Sequence, residues 1–420
     1  MPRQRKGRME FKLDKKVAMG AVVNICRLVL AVVFILSGFV KAVDPLGTQY
    51  KIDDYLEAMG MAEVLPSMVT LALSVAQSAF EFCLGIFMLF AIRRRLTSRL
   101  VLIVMLLMTP LTLWLALTNP ISDCGCFGDA LVLTNWQTFW KNVVLLVMAI
   151  VVAWKPLKMF RFVSRTNQWI VINYTVLFVL AVSLWSLYDL PQFDFRPYRI
   201  GTDLAQGWQK MMDGEESPYA DLFIEKVDDH EDITEQVLTD ESYNFLLVAP
   251  YLDHADDSRF DLINELYEYA QDHQYGFYCL TSSLQESIDR WRDMTGAEYP
   301  FCFTDGTLLK TVVRSNPGLV LLKQGVVIGK WSHNRLPNIE PAQQSLPLEQ
   351  LPIGSINADS TATKIVRLML WFALPLALLS IADRTWMWTR WLRRRKHGSS
   401  SPEQSQQDPN NPNQIKQQEQ

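Results

Sequence analysis

The chain has 420 residues, a formal net charge of −4, 49% hydrophobic and 20% charged residues. That length holds two or three domains. Six cysteines are too sparse for a disulfide-stapled scaffold, and no phosphate loop, haem-attachment motif, histidine metal pattern or nucleic-acid patch is present. The average charge conceals an uneven chain: apolar residues gather in long runs, whereas 188–363 reads as an ordinary soluble domain.

Residues 1–16 carry seven Lys/Arg, among them Arg3, Arg5, Lys6 and Arg8, against two acids. The apolar run that follows, 17–40, is too long for a signal-peptide core and lacks a small-residue cleavage site. A helix crossing a bilayer needs about 20 apolar residues. Six stretches meet or approach that length: 17–40, 68–92, 100–117, 139–154, 169–188 and 365–381. Trp136 and Trp140 flank the fourth, and Trp386, Trp388 and Trp391 the sixth, as interfacial anchors.

Loop charges set the orientation. The loop 41–67 has two bases and five acids; Arg93, Arg94, Arg95 and Arg99 follow the second span; the loop after the third has no base. Lys155, Lys158, Arg161 and Arg165 follow the fourth span, and Arg384, Arg390, Arg393, Arg394, Arg395 and Lys396 the sixth. Base-rich and base-poor loops alternate, so both termini are expected in the cytoplasm of a cell whose inner membrane the chain spans. The segment 188–363, with 12 bases against 30 acids, is then expected outside. The tail, 397–420, is polar and Pro-containing, a composition expected to be disordered.

Two ionisable residues fall inside spans, Arg27 in the first and Glu81 in the second. Intramembrane charges are costly and usually pair or serve function. Counted from the inner side, each lies about 15 Å deep at 1.5 Å per residue, which predicts an Arg27–Glu81 ion pair, either structural or part of a polar site for a quinone, proton or substrate group. Cys26 and Cys83 beside them read as small buried hydrophobes.

The third span ends in a loop that carries Asp123, Cys124, Gly125, Cys126, Phe127, Gly128 and Asp129. A disulfide between cysteines two apart closes a small, strained ring that is easily reduced. Cys124 and Cys126 are therefore the candidate redox pair. A static disulfide, idle thiols and soft-metal binding remain open, although two ligands with no neighbouring histidine make a poor metal site. Asp123 and Asp129 are expected to disfavour a thiolate nearby, so the pair is expected to rest oxidised.

Arg27, then Ser37-Gly38-Phe39-Val40-Lys41 with Asp44-Pro45, Glu81 four residues before Gly85, the loop from Cys124 to Asp129, Trp136 and Lys141-Asn142 together resemble the MauE family over about 17–155. These methylamine utilisation proteins fall within the broader DoxX-like group of four-helix membrane proteins. The resemblance implies a four-helix bundle and a role in maturing another protein, since MauE is linked to disulfide formation in the β-subunit of methylamine dehydrogenase. DoxX relatives include a subunit of a thiosulfate:quinone oxidoreductase, which leaves quinone open as a cofactor.

Within 189–363 the core 243–335 alternates strand and helix patterns. Apolar runs at 243–250 and 275–281 and a short one at 300–304 read as strands, 259–271 and 283–294 as helices, and 317–331 as a hairpin turning at Gln324-Gly325. This order resembles a thioredoxin-like fold with Pro317 at its cis-proline position. The redox Cys-x-x-Cys of that fold is missing: Tyr251-Leu-Asp-His254-Ala-Asp256 stands there. Cys279 and Cys302 read as core thiols or as a disulfide between adjacent strands.

The expected architecture is a multi-pass α-helical membrane protein, a four-helix DoxX/MauE-like bundle with two further spans, bearing an α/β thioredoxin-like extracytoplasmic domain. The leading functional expectation is redox (disulfide) maturation or assembly of an extracytoplasmic protein partner. A quinone-linked oxidoreductase subunit and a non-redox scaffold that binds proteins through the outer domain are the alternatives. The sequence names no partner and no oligomeric state.

Overall fold

The computed structural model describes residues 3–61, 64–121, 124–215, 217, 219, 222–356 and 361–398, the side chains of 3–16, 361–362 and 394–398 aside. Asp123 and residues 399–420 of the polar tail lie outside the described residues. Helix α1 runs Arg3–Val43, α2 Pro45–Ala58, α3 Ser67–Phe90, α4 Arg94–Thr118, α5 Asn135–Trp154 and α6 Gln168–Tyr188. The sheet domain follows as α7 Leu204–Met212, β1 Glu225–Lys226, α8 Thr234–Thr239, β2 Tyr243–Val248, α9 Phe260–Asp272, β3 Gly276–Thr281 and α10 Gln285–Thr295. It continues as β4 Phe301–Phe303, α11 Gly306–Val312, β5 Gly318–Lys323 and β6 Val326–Ser332, and α12, Thr361–Gly398, closes the described chain.

Among the described residues six helices are long and apolar enough to cross a membrane: α1 from Val17, α3, α4, α5, α6 and the Thr363–Arg393 part of α12. Their outer faces expose Val32, Leu107, Val147, Leu177 and Trp371, a surface that water would not tolerate at this extent but lipid does. Between α1, α3, α4 and α5 the core is filled by Val23, Leu30, Phe34, Leu84, Met88, Met105 and Leu145. Helices α1 and α3 touch backbone to backbone. A Cβ at Gly38 would collide with Phe82, and one at Gly85 with Ile35 and Ala31, so these glycines fix which levels of the two helices meet. On the other side of that pair, α6 and α12 pack through Phe82, Phe178 and Phe372. Asp383 of α12 accepts from the Ser164 amide at 2.6 Å, its hydroxyl at 2.8 Å and Asn167 at 2.7 Å, which ties α12 to the α5–α6 connection.

Helix ends run past the apolar stretches because caps and amphipathic turns extend them. Thr134 and Gln137 form a capping box that starts α5 at Asn135, ahead of the apolar run at 139. Asp44 caps α2 and Pro45 opens it, giving the loop 41–67 a helix that its weak periodicity does not announce.

The C-terminal domain is a mixed six-stranded sheet in the order β1-β4-β3-β2-β5-β6. Strands β2, β3 and β4 run parallel, β5 pairs antiparallel with β2, and β6 pairs antiparallel with β5 at the sheet edge. Helices α9 and α10 cover one face through Ile263, Leu266, Ile288 and Trp291. Helices α7, α8 and α11 cover the other through Leu204, Val237, Leu309 and Val312. Every residue of β2 is buried, as a strand covered on both faces requires. Cys279 pairs with Phe301 and Leu280 with Cys302 across β3 and β4, so the two thiols point to opposite faces. Both are free, and a disulfide between them is geometrically excluded. The Asn316–Pro317 peptide bond is cis.

Candidate functional site

The bundle end that carries the sheet domain also carries the cysteine loop. Gly125 adopts φ +64° and Gly128 φ +51°, left-handed angles that favour glycine, and the loop thereby folds the two cysteines onto one another. Cys124 Sγ and Cys126 Sγ lie 2.9 Å apart, unbonded. Tyr55 of α2 donates to the Cys124 carbonyl at 2.9 Å and Ser37 of α1 to the Cys126 carbonyl at 2.7 Å. The loop is thus seated on α1 and α2 through its backbone carbonyls, and Tyr55 also reaches the Cys124 thiol.

Glu81 lies directly beneath. Lys41 Nζ donates to both Glu81 carboxylate oxygens at 2.8 Å and Gln77 to Oε1 at 3.2 Å, while the single Ser37 hydroxyl proton is shared between Oε2, 2.7 Å away, and the Cys126 carbonyl. The side chains of Lys41 and Glu81 are 5% and 8% exposed, so this is a buried ion pair. It corrects the expected partnership. Arg27 donates to the Phe160 carbonyl, and its guanidinium lies 5.6 Å from the Phe162 ring centroid. The Gly38–Phe82 and Gly85–Ile35 approaches put Glu81 level with Ser37 and Lys41. Arg27 then lies ten residues, about 15 Å, further along α1, towards the end where Arg94 binds the Leu157 and Met159 carbonyls. Counting depth from the apolar run's edge misplaced it, because α1 continues to Arg3 and the run's start does not mark a bundle end.

The contact between the two thiols decides their chemistry, and the nearby cations add to it. The Cys124 thiol's hydrogen bond, followed by the charges of Lys141 and Lys41, pulls Cys126 down to about 6, against burial, which opposes it. Cys124 is held well above the usual thiol range by its bond to Cys126 and by burial. One proton shared by the pair thus leaves a thiolate on Cys126. The expectation that nearby acids would suppress a thiolate is corrected as far as Asp129 is concerned. That carboxylate points at Arg314 Nη2, 3.3 Å away, while burial pushes its own protonation upward.

Arg314 joins the two parts of the molecule. It follows α11, is 7% exposed, and binds Asp44 at 3.0 Å besides Asp129. Burial alone would lower its affinity for the proton, but Asp44 and Asp129 hold it above the ordinary guanidinium value. Between bundle and sheet domain lies a cavity of about 570 Å³ lined by Lys41, Cys124, Cys126, Arg196, Tyr251 and Lys310, among others. Tyr251 begins the segment after β2 that lacks the expected Cys-x-x-Cys, and its carbonyl accepts from Asn316 at 2.8 Å. The cysteine-less tip of the sheet domain therefore faces the cysteine-bearing loop of the bundle. His254 in that segment is exposed.

The structure brings Cys124 and Cys126 together with Glu81, whereas Arg27 and Pro317 stand apart from that cluster. Lys41, Ser37, Gln77, Lys141, Arg196 and Arg314 were not read as parts of the site. Ser37, Lys41 and Lys141 carried a signal as members of the ordered set that resembles MauE; Arg196 and Arg314 carried none that separates them from surface arginines.

This arrangement defines a multi-pass membrane protein whose helical bundle presents a cysteine loop to a mixed-sheet domain. Residues 19–155, about a third of the chain, match the family model described as methylamine utilisation protein MauE. No curated protein and no solved structure matches the chain.

Proposed function

We propose that the protein is an inner-membrane factor that matures or assembles an extracytoplasmic partner by thiol–disulfide exchange at Cys124 and Cys126. The observation that carries this reading is the pair itself: sulfurs 2.9 Å apart, with Cys126 held as the better thiolate, in a cavity beneath the sheet domain. A low thiol pKa makes the better leaving group. In the oxidised state a partner thiolate attacks Cys124 Sγ, the bond between the pair breaks, and Cys126 leaves as a thiolate facing Lys41 and Lys141. The partner's second thiolate then attacks its own sulfur in the mixed disulfide and releases Cys124. The partner gains a disulfide; the pair takes up two electrons, and two protons pass from the partner's thiols to the site or solvent. A membrane quinone, accepting two electrons and two protons, restores the pair.

The sheet domain acts in this scheme as a thioredoxin-like module without its own dithiol, a reading supported by the parallel β2–β3 pair, the antiparallel β5–β6 hairpin and the position of Tyr251. It would hold the partner over the bundle's cysteines. Both termini lie in the cytoplasm in this scheme, a reading supported by the basic loops at the opposite bundle end.

Differential alkylation with mass spectrometry on membranes tests the reading. Cys124 and Cys126 should be blocked in aerobically prepared membranes and become alkylated after mild reductant. Cys126→Ser should accumulate a reductant-sensitive conjugate at Cys124. Two thiols freely alkylated in untreated membranes would end the proposal.

A second reading, an oxidoreductase subunit whose main product is reduced quinone, draws on the apolar side chains Phe34, Val104, Met105 and Leu145 that line a cleft beside Cys126. Quinol formed on addition of a small thiol, without any partner protein, would single it out.

A further inference from the structure

Arg196 lies outside the MauE-type segment and is 3% exposed. Its Nε donates to Asp194 Oδ1 at 2.7 Å. Among the described residues neither Nη1 nor Nη2 has a hydrogen-bond partner, although both are buried. Asp194 cannot serve them, because Lys330 Nζ holds its other oxygen at 2.8 Å. One carboxylate therefore faces two cations. Despite burial, which would raise it, Lys330 and Arg196 hold Asp194 down to about 2. Burial and the charge of Arg196 lower Lys330 to about 8. Asp194, Lys330 and Arg196 together carry one excess positive charge in a place shielded from water, next to the balanced Arg314, Asp44 and Asp129, and a guanidinium with both Nη groups unengaged matches a carboxylate in two-point fashion.

Arg196 lines the same cavity of about 570 Å³ as Cys124 and Cys126, and that volume lies in the range, about 300–1,000 Å³, that encloses a small organic ligand. Four further cations line it, together with Asp44, Asp54, Glu57 and Asp129. Lys41 is held by Glu81, and Lys51 lies 3.8 Å from Asp54. Arg314 is already engaged by Asp44 and Asp129. The Lys310 ammonium sits over the rings of Tyr50 and Tyr251, at 5.0 and 4.9 Å. We infer that the cavity binds a carboxylate-bearing thiol or disulfide compound, its carboxylate on the Arg196 fork and its sulfur at the Cys124–Cys126 pair. This inference rests on the exchange reading above and adds the class of small substrate. In the direction from reduced protein, the Cys126 thiolate attacks one sulfur of the ligand disulfide and one ligand thiolate leaves. Cys124 then displaces the second ligand thiolate from Cys126 and gives up its proton. One disulfide forms, one is broken, and two electrons pass to the ligand.

The test compares two disulfide reagents on the reduced full chain in detergent, with closure of the pair read on the Cys124–Cys126 peptide by mass spectrometry. Dithiobis(nitrobenzoate) carries carboxylates and dithiodipyridine carries none. Arg196→Gln should slow the anionic reagent about tenfold or more, the order expected for losing a charge-assisted pair of hydrogen bonds, and leave the neutral reagent unchanged. Arg196→Lys should recover only part of the loss. On the wild-type chain, benzoate should slow the anionic reagent alone, a measurement that decides the matter if the variants do not fold. Equal effects on both reagents, or no benzoate effect, would overturn the carboxylate site while leaving exchange intact. Failure of both reagents to close the pair would overturn exchange and the site with it.

Discussion

Glu81→Gln removes one negative charge and almost no volume, which isolates the electrostatic role of the residue. Lys41 has both Glu81 oxygens at 2.8 Å and no other carboxylate within ion-pair distance among the described residues. The substitution leaves its ammonium buried with one amide oxygen. Breaking a buried pair from one side costs about 3–5 kcal/mol, roughly a hundred- to several-thousand-fold in the folded fraction at 1.4 kcal/mol per tenfold. Lys41→Met combined with Glu81→Leu should return close to wild-type stability, because both desolvated charges go together. Ser37 survives this double change, since the Cys126 carbonyl lies 2.7 Å from its hydroxyl. Arg27→Leu should not rescue Glu81→Gln, because Arg27 binds elsewhere. Reversible unfolding in mixed micelles titrated with dodecyl sulfate, followed by tryptophan fluorescence, measures all of these. A Glu81→Gln variant as stable as wild type, or a double variant as unstable as the single, would refute the reasoning.

Other outcomes follow from the same geometry. Alkylation of Cys126 in the reduced protein should rise through about pH 6 and then level off, because the thiolate is present above that value and lost as pH falls through it; Lys141→Met should move the rise to higher pH, and a profile centred where free cysteine titrates would count against the site electrostatics. Arg314→Ala should cost about 3 kcal/mol by stranding Asp44 and Asp129, seen as faster proteolysis of the connection at 189–203, with Arg314→Lys recovering only part. A cysteine placed at Arg94 should resist an impermeant maleimide in intact spheroplasts while one at the exposed Asp253 reacts; the reverse pattern would invert the proposed topology.

Much of this architecture is legible in the residues. A span announces itself by apolar length, and six runs were enough to locate six helices whose ends differ only where caps such as Thr134 extend them. The strand runs around 243–250 and 275–281 stand out because both faces of β2 and much of β3 are buried, with Asn244 the polar residue inside the first run. The cysteine loop was legible because its two cysteines and two glycines are adjacent in sequence. Partner identity was not. The Lys41–Glu81 pair depends on the level at which α1 crosses α3, which Gly38 and Gly85 set by letting backbones touch, and no count from a helix end contains that information. Arg314 and Arg196 come to the cysteines from 190 and 72 residues downstream of Cys124, through a docking of two folded units that local pattern does not encode.

The Arg314 bridge has a consequence for how the halves can be handled. Its guanidinium belongs to the sheet domain and its two carboxylates to the bundle, one just after the first span and the other in the cysteine loop. Cut apart, each half would present the wrong face to water: a bare cation on one piece, a pair of like charges on the other. The sheet domain prepared alone is then a poor miniature of itself, and the bundle prepared alone would hold its reactive loop under a repulsion that the intact chain never feels. Swapping in a sheet domain from elsewhere would require an arginine at the matching spot, so the two parts are bound to change together or not at all.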